Sequence, residues 1–193
     1  MNILVTGATG FIGSFIVEEA IKRGMNVWAA VRPTSSRKYI SDPRINTIEL
    51  DLGDKQRLKG QLGGHTFDYV VHAAGATKCL HKADFYRVNT DGTRHLADAA
   101  FFGRLARRPF LVNTSRFVFL SSLSVMGPVR EQRPYADISV NDEPRPDTAY
   151  GMSKLKAERY LDSLDGLPVV TLRPTGVYGP REHDYFMMAQ SIK

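Results

Sequence analysis

Residues 6–13 read TGATGFIG and follow directly on the apolar run Ile3-Leu4-Val5. Glycines fall at 7, 10 and 13, where a first strand would pass into a first helix. Glycine allows a sharp turn there. It also lets a phosphate approach the unpaired N–H groups and the positive dipole end of the helix. The spacing is G-x-x-G-x-x-G, not G-x-G-x-x-G, and a purely structural turn is the rival reading. A strand before the loop and an amphipathic helix after it favour a dinucleotide site.

Outward from this loop, strand-like and helix-like segments alternate, the pattern of an α/β fold on a parallel sheet. "NILVTG" is the first buried strand and "GSFIVEEAIKRG" the first helix. Ile12, Phe15, Ile16, Ala20 and Ile21 recur at helical spacing, and Gly24 suits the stop. "NVWAAVR", "INTIELDL", "FDYVVHAAG", "RFVFLSS" and "PVVTLRPTGVYG" supply five more strands. "DKQRLKGQL", "VNTDGTRHLADAAFFG" and "TAYGMSKLKAERYLDSL" supply three more helices, and "YFMMAQSIK" begins another. "GPVREQRPYADISVNDEPRPD" has no periodicity and reads as a surface excursion.

Composition bounds the function classes. A chain of 193 residues holds one good core, and its 42% hydrophobic and 24% charged residues point to an ordinary globular domain. The net charge of +6 raises nucleic-acid binding. The basic residues are scattered, however, with short groups at Arg37-Lys38 and 104–108, and no reading motif or stacking platform accompanies them. No nucleic-acid partner is expected. The single Cys79 excludes an intramolecular disulfide framework and fits a reducing cytosol. The first seventeen residues carry no charged side chain, yet a basic n-region is missing and glycines interrupt the apolar run. No stretch is apolar enough to span a bilayer. The expectation is a cytoplasmic protein without membrane attachment. Neither metal-ligand spacing nor a G-x-S-x-G elbow is present.

Three strand ends carry candidate binding residues. An acidic residue after the second strand would hold the ribose hydroxyls of NAD, and here Arg32 stands instead. With Arg37 or Lys38 behind it, Arg32 suits the 2′-phosphate of NADP, whereas Arg37 and Lys38 alone read as a solvated loop. Asp51 of "LDL" could bond an adenine or cap its own loop. "HAAGATK" supplies small residues where a backbone would pass a cofactor, and His72 reads as a packed core histidine.

The chemistry sits later. "YGMSK" places Tyr150 and Lys154 on one helix face, four residues apart. An ammonium beside a phenol favours the phenolate and lowers its pKa. Such a tyrosine can exchange a proton with a carbinol oxygen while hydride moves to or from a nicotinamide. Y-x-x-x-K alone is common on exposed helices. Its weight comes from Ser121, Ser122 and Ser124 in "FLSSLSVMG", near the carboxyl edge of the sheet where ligands of open α/β sheets bind.

Taken in order, "TGATGFIG", "LDL", "HAAG", "VNTDGT", "FLSSLSVMG", "YGMSK" and "LRPTGVYGPRE" resemble the extended short-chain dehydrogenases/reductases, the NAD-dependent epimerase/dehydratase family. The resemblance implies a Rossmann-type doubly wound parallel sheet with helices on both faces. It implies cofactor contacts from Gly7, Thr9, Gly10, Phe11, Ile12 and Gly13, with the glycines around the pyrophosphate. It also implies contacts from Arg32, from Asp51 and Leu52 near the adenine, from Ala73, Ala74 and Gly75, and from Asn89. Ser122, Tyr150 and Lys154 would be catalytic, with Lys154 also on the nicotinamide ribose. Pro174 and Val177 would line the nicotinamide pocket, and Thr77 and Ser124 would meet substrate. "VRPTS" at 31–35 is similar to the reductase-like branch related to dihydroflavonol reductases.

Met126 departs from the Tyr or Phe that the family usually has before Gly127. Members also usually continue well past this length, so the expectation is a dinucleotide-binding domain over 1–180 and the start of a truncated substrate region over 181–193. Such a fragment would bind cofactor poorly and turn over nothing. The expected function is reductase-like, on a small carbonyl or alcohol compound, with NADP(H) ahead of NAD(H). The alternatives are an NAD-dependent nucleotide-sugar epimerase and a non-catalytic dinucleotide-binding module. The absence of an acidic pair after Ser122 counts against a dehydratase. Family members commonly pair through the two helices carrying 89–100 and 150–164, which makes a homodimer the expected assembly.

Overall fold

The computed structural model describes residues 1–105, 114–128 and 137–192, the side chains of 101–105 excepted. The basic group at 104–108, the Phe101-Phe102 pair and the middle of the 127–147 excursion therefore lie outside the described residues.

Six parallel strands form one sheet: β1 (Asn2–Thr6), β2 (Asn26–Val31), β3 (Asn46–Glu49), β4 (Tyr69–His72), β5 (Arg116–Leu120) and β6 (Val169–Leu172). Their spatial order is β3-β2-β1-β4-β5-β6. The chain runs outward from β1 in one direction, then returns and runs outward in the other. The crevice between β1 and β4 is therefore the topological switch point, where open α/β sheets bind ligands at the strands' carboxyl ends. The chain is Rossmann-like, as expected.

Alternation along the strands separates two cores. Ile3 and Val5 of β1 pack with Val27, Ala29 and Val31 of β2 against α1 (Phe11–Lys22). Leu4, Val70, Phe117 and Phe119 face the other way. There they meet Leu58 of α2 (Lys55–Gln61), Leu96 of α4 (Gly92–Leu105) and Leu161 of α5 (Ala149–Asp162). Burying each of these large side chains contributes about 1.5–3 kcal/mol.

Local chemistry sets the helix ends. Asp54 caps α2 by accepting from the Gln56 and Arg57 N–H groups, and Thr148 caps α5 by accepting from Gly151. Gly24, at φ +72°, ends α1 as expected. The apolar stripe of α1 differs from the one read by spacing. Gly13, Ser14, Val17, Ala20 and Ile21 are its buried residues, whereas Phe15 stays 38% exposed. The reason is tertiary: the helix sits so close to β1 that its small residues face the sheet.

A second difference lies before α4. The helix expected from residue 88 begins instead at α3 (Lys82–Phe85) and runs through a π-turn, Tyr86–Asp91, into α4. Such turns insert one residue and re-aim side chains. Here Asn89 is the residue re-aimed. The segment 184–190 forms α6 (Asp184–Gln190), as its sequence implied. No helix among the described residues is long and apolar enough to cross a membrane.

Candidate active site

The three glycines of the first loop divide their work. Gly7 has φ +68°, and a Cβ on it would stand 2.6–2.8 Å from the Ala73–Ala74 backbone. A Cβ on Gly13 would lie 2.1 Å from the Gly7 carbonyl oxygen. These two allow α1 to seat against the ends of β1 and β4. Gly10 differs. It is exposed, with its would-be Cβ 3.3 Å from the Gly7 oxygen as the one close contact. It occupies the N-cap of α1 without capping any N–H, and the first turn holds no acidic residue. A twelve-residue helix thus presents uncapped N–H groups at the switch point, which suits a pyrophosphate.

The neighbouring strand ends supply the rest of a dinucleotide site. Arg32 is exposed at the end of β2, with no ion pair among the described residues. Asp51 is already engaged, its carboxylate accepting from the Gly53 N–H at 3.0 Å and lying 3.4 Å from Arg57. That is the loop-capping reading. Leu52 packs against the larger core, and its carbonyl lies 2.8 Å from His95 Nδ1. Thr9, Phe11, Ile12, Ala73 and Ala74 are half-buried around the glycine loop, and Gly75 is exposed.

The residues expected to handle protons lie beyond the ends of β4 and β5. Ser122 follows β5, accepts from the Ser124 N–H and lies near enough to Tyr150 to pull the phenol's pKa down. Ser124 is exposed, with its hydroxyl 3.1 Å from that of Ser122. The Pro174 carbonyl accepts from the Leu123 N–H at 2.8 Å, which ties the loop after β6 to the serine turn. Val177 on that loop is 39% exposed, and Thr77 is exposed beyond the small-residue strip. Beside Ser122, the Ser121 hydroxyl is buried without a hydrogen-bond partner among the described residues.

Lys154, 4% exposed, donates to the Leu120 carbonyl at 2.8 Å and lies over the Phe119 ring. A Cβ on Gly75 would come 3.0 Å from its Nζ, which is why a small residue is needed there. Burial lowers the ammonium's pKa to about 8, against a pull upward from Glu158. Glu158 is itself buried and held by Arg173 at 2.7 Å, and Arg173 also touches the sulfur of Met126 at 3.3 Å. Met126 thus packs on this ion pair.

The Tyr150 phenol departs from the sequence expectation. Burial raises its pKa, with the Ser122 hydrogen bond pulling the other way. Lys154 does not lower it here, because among the described residues the ammonium's hydrogen bond goes to Leu120. At neutral pH Tyr150 is a phenol and therefore a proton donor.

Asn89 and His72 form a polar layer beneath these groups. Asn89 Oδ1 accepts from the Ala76 N–H at 2.8 Å, and its Nδ2 donates to the Ala76 carbonyl and to Ser153. His72 is fully buried between Thr6 and Thr93. Burial, followed by the charge of Lys154, depresses its pKa to about 3. The unfolded chain takes up a proton near pH 6.5 and the folded one does not. The stability linked to His72 is therefore complete above pH 6.5 and is lost as pH falls toward 3, by up to about 1.4 kcal/mol per unit. Urea melts at pH 7 and pH 5 should show this loss in the natural chain and a smaller one in His72→Gln.

Sequence reasoning did not reach Thr6, Thr93, Ser153 or the Glu158–Arg173 pair. No local spacing marks them. A cavity lined by Glu18, Tyr39, Asp42, Arg44 and Arg181 contains none of Ser122, Tyr150 and Lys154. Among the described residues no cluster suits a metal ion.

A model of the NAD dependent epimerase/dehydratase family matches residues 3–193. The chain belongs to this family. A UDP-glucose 4-epimerase of Vibrio cholerae is 30% identical, over 93% of this chain and 52% of that protein. The decarboxylating sterol-4-alpha-carboxylate 3-dehydrogenase of Dictyostelium discoideum is 26% identical, over 96% of this chain and 57% of that protein. Among solved structures, the Bordetella bronchiseptica enzyme WbmH in complex with NAD⁺ is 26% identical with a TM-score of 0.82, covering 100% of this chain and 63% of that one. This epimerase/dehydratase-family chain spans about half the length of the relatives it matches.

Proposed function

We propose that this chain is the dinucleotide-binding and proton-transferring part of a nicotinamide-dependent oxidoreductase acting at a carbinol or carbonyl carbon, most simply as a reductase. One observation supports this above the others: Ser122, Tyr150 and the buried Lys154 gather at the sheet's carboxyl edge, where Ser122 lies near enough to pull the phenol's pKa down, on a sheet whose first helix is uncapped. The relatives' epimerase and dehydrogenase activities involve the same kind of carbon.

The residues present suit a nicotinamide dinucleotide, which when bound gives hydride to, or takes it from, the reacting carbon. The α1 N-terminus at Gly10 would hold the pyrophosphate, and Lys154 would bond the nicotinamide ribose. Pro174 and Val177 would flank the ring. In reduction the Tyr150 O–H donates its proton to the carbonyl oxygen, and in oxidation the phenolate takes it back. The Ser122 hydroxyl orients that oxygen.

Arg32 directs the cofactor reading to NADP(H). Its guanidinium can bond a 2′-phosphate where an acidic residue would bond the ribose hydroxyls. Separate calorimetric titrations with NADP⁺ and NAD⁺ test this. NADP⁺ is expected to bind more tightly, and Arg32→Ala should remove about 1.5–3 kcal/mol of that affinity, roughly ten- to a hundredfold. A preference for NAD⁺ untouched by Arg32→Ala would put the nucleotide-sugar epimerase reading first. The remaining proposals are a cytoplasmic location, residues 1–180 as the cofactor domain with 181–193 opening a substrate region, and a homodimer through α4 and α5. Exposed Met152 on α5 suits such a contact.

A further inference from the structure

His72 takes no part in the proton transfer described above, yet it joins the two elements that frame the cofactor crevice. Every proton along its contacts has a forced direction. The Ala74 N–H donates to Thr6 Oγ1 at 3.3 Å, so the Thr6 hydroxyl can give its own proton to His72 Nδ1, 2.6 Å away. At the other end Thr93 Oγ1 donates to the Asn89 carbonyl at 2.6 Å, so it accepts from His72 Nε2 at 2.9 Å. Only the neutral imidazole with its proton on Nε2 satisfies both ends.

We propose that His72 is a positioning residue that, through Thr6 and Thr93, locks the glycine-loop end of β1 to the π-turn carrying Asn89 and so sets the strip 73–76 for the dinucleotide. This rests on the cofactor reading above. The strip is held from two sides: Thr6 takes the Ala74 N–H, and Asn89 takes both the N–H and the carbonyl of Ala76. His72 is the piece between those holds. A protonated ring would point Nδ1–H at Thr6 and leave the Thr6 hydroxyl proton without an acceptor.

What surrounds the ring keeps it in this form. The Phe117 and Phe119 rings of β5 lie 6.3 Å and 5.7 Å from it, the latter stacked at 21°. β1 and α4 present Thr6 and Thr93, and the charged group acting on it is Lys154 of α5. Among the described residues no carboxylate stabilises the cation.

Two measurements on the full chain test the lock. Imidazole nitrogen–proton correlation spectra with ¹⁵N-histidine, between pH 7.5 and 5, should show one histidine protonated on Nε2 throughout. A His72 protonated on Nδ1, or titrating near its ordinary value, would overturn the proposal. Calorimetry with NADP⁺ and NAD⁺ then reads its consequence. His72→Phe, which strands both threonines, should weaken dinucleotide binding about tenfold, and His72→Gln, with one donor and one acceptor, should recover part of it. Thr93→Val removes a single hydroxyl and gives the same readout if His72→Phe does not fold. A purely structural role would lower the melting temperature and leave the affinity of the folded chain unchanged, which would overturn the positioning role alone. If the natural chain binds neither dinucleotide, the cofactor reading falls and the proposal with it.

Discussion

Gly13→Ala is expected to abolish most of the chain's stability, and Gly10→Ala to leave it nearly intact while weakening dinucleotide binding. The added methyl at 13 would sit 2.1 Å from the Gly7 oxygen, 2.7 Å from the Gly7 carbonyl carbon and 3.0 Å from Ala8 Cα. All three are backbone atoms of the tight turn, so no side chain can move aside. α1 would have to lift from the sheet, uncovering the core formed by Val5, Val17 and Ala29. Losses of this kind reach about 4 kcal/mol or more, against a total stability of about 5–15 kcal/mol. Gly10 has φ −84°, which alanine adopts, and its methyl would meet the Gly7 oxygen at 3.3 Å. Its cost to the fold should stay within about 1 kcal/mol. The methyl would instead stand at the uncapped helix end, where an anion has to approach. Thermal melts and calorimetry on both variants separate the effects. A Gly13→Ala chain melting with the natural one would show that the helix does not sit as closely as described.

Tyr150→Phe is expected to lower turnover by about 10²–10⁴-fold with each carbonyl compound the chain reduces. Dinucleotide affinity should change by less than about threefold. The ring's edge contact with Phe85, centroids 6.0 Å apart, survives the substitution. Only the hydroxyl is lost, so stability should move by about 1 kcal/mol at most. The raised phenol pKa strengthens this expectation, since Tyr150 is loaded with its proton at neutral pH. Steady-state rates and titrations on the same preparations provide the measurement. Unchanged turnover would remove Tyr150 from the chemistry. A chain that binds dinucleotide with no turnover to lose would be the non-catalytic module.

Much of the fold was legible because its signals are local. The apolar runs at Ile3-Leu4-Val5 and 117–120 and the stop at Gly24 each depend on a few neighbouring residues. Tyr150 and Lys154 share a helix face because four residues make roughly one turn. The alternation of strands and helices then allows few topologies, since parallel strands need crossovers of one hand.

Long-range register determined what spacing could not. Thr6 and His72 face each other because β1 and β4 pair with those residues in register. Thr93 reaches His72 from α4, 21 residues along the chain. Spacing along α1 gave Phe15 to the core, but the close seating allowed by Gly7 and Gly13 turned Ser14 and Val17 inward, while Ile16 packs at the core's edge. The proximity of Tyr150 and Lys154 followed from sequence, but their electrostatics did not. A pKa depends on burial and on hydrogen-bond partners brought from elsewhere in the chain. Leu120 lies 34 residues from Lys154, and Ser122 lies 28 from Tyr150. The sequence by itself determined the elements, their order and the candidates for proton transfer. Tertiary packing decided which glycine stands open at the helix end, where Lys154 donates and which tautomer His72 holds, because each depends on atoms that only the folded sheet brings together.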